Sequence, residues 1–128
     1  MTTREEYYEL MGKYPDLTAI GFLGKVNPYT GISHEELYST TCEELRQSYD
    51  QFQACIDWIE HHPRYPRYYA DLQWVDEVQK WLAALGRPMH VGVGAVVLAA
   101  DYKGFFIKRF RKQLNCCVGK KRPGRSHE

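Results

Sequence analysis

Between Asp71 and Arg122 the spacing of hydrophobic positions changes character twice. Leu72, Val75, Val78, Leu82 and Leu85 recur at steps of three and four, which predicts one apolar face of a helix over residues 71–85. Trp74 and Trp81, seven apart, form a second aromatic stripe beside it. Asp71 suits the N-cap, Gly86 a left-handed C-terminal position, and Pro88 forbids continuation. A second helix is expected from about His90 to Lys103. Its centre, Val91 to Ala100, is apolar on nearly every side, as in a helix buried at the middle of a fold. Gly92 and Gly94 weaken it as a helix, and a glycine pair there suits the close approach of another backbone. The dense β-branched residues leave a buried strand over Val91–Leu98 as the competing reading. After Gly104, the run Phe105, Phe106, Ile107 and Phe110 is strand-like and opens a basic β-hairpin. The unit reads as helix-turn-helix followed by a hairpin.

Upstream, Thr3 and Glu6 have capping-box spacing and start a short helix that stops near Gly12, ahead of Pro15. Residues 16–25 are ambiguous: Leu17, Ile20 and Leu23 are helically spaced, but Gly21 and Gly24 oppose a stable helix. Asn27 to Gly31 is a turn by composition. Ser33 with Glu36 makes a second capping box. Thr41 with Glu44 makes a third and predicts the best helix of the chain, running to about His61. Its stripe is Leu45, Tyr49, Phe52, Ile56 and Ile59. The expected fold class is α+β: a mainly helical small domain of four to five helices with a C-terminal β-hairpin. Residues 1–118 form a single globular domain, followed by a basic flexible tail over 119–128.

Composition adds three constraints. The chain has 128 residues, of which 44% are hydrophobic, enough for one domain with a real core. No apolar run approaches the roughly 20 residues that span a bilayer, so no membrane partner is expected. The N-terminus lacks the basic-then-apolar order of a signal peptide, and the four cysteines form no disulfide framework, so a reducing, cytoplasmic location is expected.

The net charge of +1 hides a gradient, with −7 over residues 1–60, +1 over 61–100 and +7 over 101–128. Such asymmetry points to a basic surface meant for an anion, most often nucleic acid, and an acidic surface elsewhere. The alternative is a solubilising tail. The basic residues that matter are Lys108, Arg109, Arg111 and Lys112 in the hairpin. The segment 61–69, HHPRYPRYY, holds two prolines and reads as a linker. Its Arg64, Tyr65, Arg67 and Tyr68 interleave charge with aromatic faces. They suit either base stacking with phosphate contact or a protein hot spot. Tyrosines that merely cover the core explain the same residues.

No catalytic residues and no cofactor are indicated. Cys42, Cys55, His61 and His62 lack closing metal-ligand spacing, and adjacent Cys116 and Cys117 alternate across a strand. Glu35, Glu36, Glu43 and Glu44 sit in predicted first helical turns, where the helix dipole accounts for them. The glycines of HVGVGAV lack the spacing of a dinucleotide site.

From Cys55 to about residue 118 the order of features resembles a class of small accessory proteins of bacteriophages and conjugative elements. The matching features are Cys55-x-x-Trp58-Ile59, Pro63-Arg64, a helix carrying Trp74 and Val78, the apolar run Gly94 to Ala100, Gly104-Phe105, and a hairpin with Asn115. The chain departs from that pattern at Asp71 to Asp76. The resemblance implies no catalytic residue. It implies a phage or mobile-element accessory protein acting on host defence or nucleic acid. The function expected is non-enzymatic: inhibition of a host protein or nucleoprotein complex, in the manner of an anti-CRISPR protein. The alternative is a direct nucleic-acid binder of winged-helix type. Oligomeric state is left open.

Overall fold

The computed structural model describes residues 3–23, 31–33, 35–62, 69–109 and 116–121. The protein is α+β and mainly helical, with five helices and a small C-terminal antiparallel sheet among the described residues. Helix α1 spans Arg4–Gly12, and its start is the capping box expected of Thr3 and Glu6. The Thr3 hydroxyl accepts from the Glu6 amide at 3.1 Å, and the Glu6 carboxylate accepts from the Thr3 amide at 2.9 Å. The ambiguous stretch after Pro15 resolves into a minimal hairpin, β1 (Leu17–Thr18) and β2 (Gly21–Phe22). Its turn is locked by Thr18, whose hydroxyl donates to the Gly21 carbonyl at 2.9 Å while accepting from the Ile20 amide. The turn expected at residues 27–31 lies outside the described residues, Gly31 excepted.

The single helix expected from Thr41 to His61 is two helices. Helix α2 spans Glu35–Arg46 and α3 spans Tyr49–His61. Thr41 is inside α2 and buried, with its hydroxyl donating back to the Leu37 carbonyl at 2.7 Å, so it caps nothing. The break comes at Gln47–Ser48, where the Ser48 hydroxyl donates to the Glu44 carbonyl at 2.6 Å and its amide tightens onto Leu45. The apolar stripe survives the break. Leu45 on α2 and Phe52, Ile56 and Ile59 on α3 are all buried, and Tyr49 is half-buried.

Helix α4 spans Asp71–Ala84 and ends as its glycine requires. Gly86 is left-handed (φ 76°), the Arg87 amide reaches the Leu82 carbonyl at 2.9 Å, and the Gly86 amide reaches Ala83 at 3.0 Å. The buried face is Trp74, Val78 and Leu82; Leu72 and Leu85, expected on that face, are exposed. The side chain of the expected cap, Asp71, lies outside the described residues.

Helix α5 spans Val93–Tyr102, three residues later than expected at its start, and the competing strand does not form. Every residue from Val93 to Asp101 is buried. Around α5 pack α3, α4, α1, both strands of the first hairpin and the C-terminal sheet. The glycine pair has the role its sequence suggested. A Cβ at Gly94 would stand 2.4 Å from the Thr18 carbonyl oxygen, and one at Gly92 would stand 2.8 Å from that of Ala19. The β1–β2 turn uses that closeness: Gly94 donates to the Ala19 carbonyl at 3.2 Å, and the Ala19 amide donates to Thr41 of α2 at 3.0 Å. Gln51 of α3 accepts from the Gly92 amide at 2.8 Å, so donors at the start of α5 are satisfied from two sides.

The sheet is three-stranded in the order β3-β5-β4, with β3 at Tyr69–Ala70, β4 at Phe105–Arg109 and β5 at Cys116–Lys121. The hairpin was expected; its third strand comes from the end of the segment read as linker. A lone hairpin is marginal in water, and β3 widens it against α4. The boundary drawn at residue 118 also moves, because Gly119–Lys121 belong to β5 and Lys121 pairs with Phe105.

One ion pair ties the first helix to the last. Asp101 is buried at the C-terminal end of α5, where the helix dipole disfavours a carboxylate. It is held there by Lys13 at 2.7 Å and by the Tyr14 hydroxyl at 2.9 Å. Lys13→Met leaves that carboxylate without its cation. Because the Lys13 side chain is itself 55% exposed, the cost is set below that of a fully buried pair, at about 1–3 kcal/mol in urea unfolding. An unchanged midpoint would show that solvent compensates Asp101.

Candidate functional site

The residues expected to bind fall into two groups. In the linker, Arg64, Tyr65, Arg67 and Tyr68 lie outside the described residues, but the chain on either side is fixed. His62 stacks on Trp58 (ring centroids 5.0 Å, interplanar angle 23°) and meets Trp81 edge-on, while His61 leans on Trp81 at 5.5 Å. On the far side, Tyr69–Ala70 pair with β5.

In the hairpin, Arg111 and Lys112 lie outside the described residues. Lys108 and Arg109 were expected on one electropositive surface, and the structure separates them. Neighbouring strand residues point to opposite faces, so Lys108 shares a face with exposed Phe106, whereas Arg109 lies on the face of Phe105 and Ile107 and stays partly exposed. The Arg109 guanidinium pairs with Asp16 at 2.5 Å and lies over the Phe22 ring at 3.8 Å. Each contact is worth up to about 1 kcal/mol at such a partly exposed position. Arg109 therefore fastens the C-terminal sheet to the first hairpin.

The winged-helix alternative needs a helix that shows one face to a groove. α5 shows none between Val93 and Asp101, and eight residues (85–92) separate it from α4, against the three or four of a DNA-reading turn.

Among the described residues, two concave surfaces lie elsewhere, beside α2. This helix buries only Thr41 and Leu45, and its main packing is against β1. On one side a cleft of about 640 Å³ is bounded by Ser39, Glu43 and Glu44 of α2, with Gln47, Ser48, Gln51, His90, Ala19 and Gly92. On the other side a cleft of about 500 Å³ is bounded by Tyr8 and Met11 of α1, Tyr14, Pro15 and Leu17, and Tyr38, Cys42 and Arg46 of α2. Ser39 and Glu43 border both. Both volumes fall in the size range of ligand pockets, and both clefts are open to solvent. Tyr38 donates to the Pro15 carbonyl at 2.6 Å, and the Arg46 guanidinium lies 5.5 Å from the centre of the Tyr8 ring. The Tyr38 hydroxyl is held above its usual pKa, chiefly by its hydrogen bond with Cys42.

Sequence reading missed these clefts. Tyr38 is far from Tyr8 and Tyr14 in the chain, and Glu43 and Glu44 read as first-turn residues of a helix that starts eight residues before Glu43. A bordering signal existed in the −7 charge of residues 1–60.

Two groups with intrinsic chemistry, Tyr7 and Cys55, are tied into the core, whereas Cys42 and His90 border the clefts. Tyr7 donates to the Leu45 carbonyl, and burial raises its pKa. Cys55 is fully buried, and burial likewise pushes its thiol up, so almost no thiolate exists at neutral pH. A disulfide reagent should therefore modify Cys55 only when the chain unfolds. The check is mass spectrometry of native and urea-unfolded protein, and rapid native labelling of Cys55 would contradict its burial. Among the described residues, no three His, Cys, Asp or Glu side chains converge as metal ligands, and no helix is long and apolar enough to cross a membrane.

Comparison with protein-family models, with curated proteins and with solved structures finds no match to this chain.

Proposed function

We propose that this is a non-enzymatic binding protein of a phage or other mobile element, which inhibits a host defence or nucleoprotein complex by occupying one of its protein surfaces. The observation that carries this reading is the contrast between core and surface. Asp101, Tyr7 and Cys55 are committed to packing and pairing, while the open clefts beside α2 carry tyrosine, methionine and arginine. Tyrosine and arginine in particular concentrate at protein–protein hot spots. The resemblance of residues 55–118 to mobile-element accessory proteins supports the source and the class of target. An intracellular place of action follows from that target.

The test is capture from host lysate by immobilised protein, with and without nuclease treatment, alongside a gel-shift series over salt. The reading expects a protein captured equally in both lysates and no appreciable affinity of the free protein for duplex or single strands. Capture that disappears with nuclease, with a gel shift weakening by about 0.9 log units per duplex phosphate contact for each log unit of salt, would replace it with direct nucleic-acid binding.

A further inference from the structure

We propose that the two clefts flanking α2 act as one docking surface for a lysine- and arginine-rich segment of the partner protein. The inference rests on the protein-binding reading above and names where and by what chemistry that binding occurs.

Three observations lead there. The first is position. α2 stands out from the fold with most of its length in solvent, and the two clefts meet along it at Ser39 and Glu43. A single extended segment crossing α2 enters both. The second is charge. α1 and α2 together carry seven glutamates against two arginines, Arg4 and Arg46. The larger cleft has Glu43 and Glu44 on its wall and, among the described residues, no lysine or arginine. The neutral groups around them, the Gln47 amide and the Ser39 hydroxyl, offer further acceptors for guanidinium and ammonium donors, while the Gln51 amide oxygen is taken by the Gly92 amide. The third is the lining of the smaller cleft. Tyr8, Tyr14 and Tyr38 with Met11 supply aromatic and thioether surface. Such surface takes up the aliphatic stems of lysine and arginine and holds their heads by cation–π contact. The protein already makes such contacts with its own side chains, with Arg46 over Tyr8 and Arg4 over Tyr49 at 4.7 Å. An acidic or nucleic-acid partner would meet repulsion from the same glutamates.

The test uses the full chain and a fluorescein-labelled peptide in which Arg and Lys alternate with Leu and Gly, with its Glu/Asp counterpart as control. Binding is read by fluorescence anisotropy over a salt series. The wild type is expected to bind the basic peptide only, more weakly as salt rises. Glu43→Lys with Glu44→Lys should weaken it about ten-fold or more, and Tyr38→Ala should also weaken it. Asp76→Lys with Glu77→Lys, an exposed acidic pair on α4, should leave affinity within about two-fold. Circular dichroism confirms that each variant is folded. Failure of the wild type to bind the basic peptide, or equal losses in the α2 and α4 variants, overturns the proposal, since the second result means only general acidity. The lysate assay separates this failure from that of the wider reading. A protein captured equally by wild type and by the Glu43/Glu44 variant removes the docking surface and keeps the binding function. Capture of nucleic acid alone removes both.

Discussion

Gly94→Ala is expected to lower stability by about 3 kcal/mol, a drop of roughly 10 °C in melting temperature for a chain of this size. Two effects oppose each other at this position. Alanine is the better helix former, by about 1 kcal/mol in a helix interior. Against that, its Cβ would stand 2.4 Å from the Thr18 carbonyl oxygen and 2.6 Å from Leu45 Cδ1. Leucine can rotate away, but the carbonyl cannot, because Thr18 is held by its own turn and the next residue bonds both α2 and α5. Relief therefore requires moving β1 off α5, which opens the contact that seats α2 as well. Gly12→Ala is the matched control. It closes α1 with nothing within 4 Å of the new Cβ, so the propensity gain is unopposed and stability should rise by up to about 0.5 kcal/mol. The measurement is urea unfolding of both variants. Equal and opposite outcomes, with Gly94→Ala stabilising, would mean that α5 and the first hairpin do not touch.

That pair of glycines shows what was legible in the chain and why. Gly92-Val93-Gly94 at the head of an apolar run has no local rationale in a helix, and the conflict itself announces a tertiary contact. Local signals of the same kind gave α1 through its capping box, the end of α4 through Gly86 and Pro88, and the burial of α5 through its uniform apolarity. Identification of the contacting element was out of reach, because Thr18 and Ala19 lie in a stretch whose spacing and glycines contradict one another. Thr41 misled for a related reason. A threonine three residues before a glutamate caps a helix only if the preceding residues are not already helical, and Glu35 to Thr40 are. The third strand was hidden because two residues carry no periodicity.

The binding residues were legible only as composition. Lys108 and Arg109 are neighbours in sequence, and a basic run reads as one patch until strand alternation divides it. The acidic side shows the reverse. Glu43, Tyr38 and Tyr8 share no local pattern, and only the packing of α2 beside α1 brings them around one cleft. A charge gradient tells which half of a chain is acidic; it cannot tell which acidic residues border a concavity.

On α4 the sequence and the structure disagree about which stripe matters, and the disagreement has a measurable consequence. Hydrophobic period alone assigns Leu72, Val75, Val78, Leu82 and Leu85 to the core and sets Trp74 beside it. In the structure Leu72 and Leu85 are 56% and 50% exposed, whereas Trp74 is 1% exposed. The helix is turned so that Trp74 fills the space between α3 and the sheet, edge-on to Trp58 at 5.1 Å and to Phe105 at 5.4 Å. Trp74 reaches both rings while Val78 and Leu82 are buried on the same helix. Trp74→Ala should therefore cost about 3–5 kcal/mol, from lost transfer energy, the cavity left behind and two aromatic contacts. Leu72→Ala and Leu85→Ala should each stay within about 0.5 kcal/mol. Urea unfolding of the three variants decides it. A large loss at Leu72 or Leu85 with a small one at Trp74 would show that α4 is rotated about its axis from the orientation described, and with it the seat of β3 and the whole C-terminal sheet.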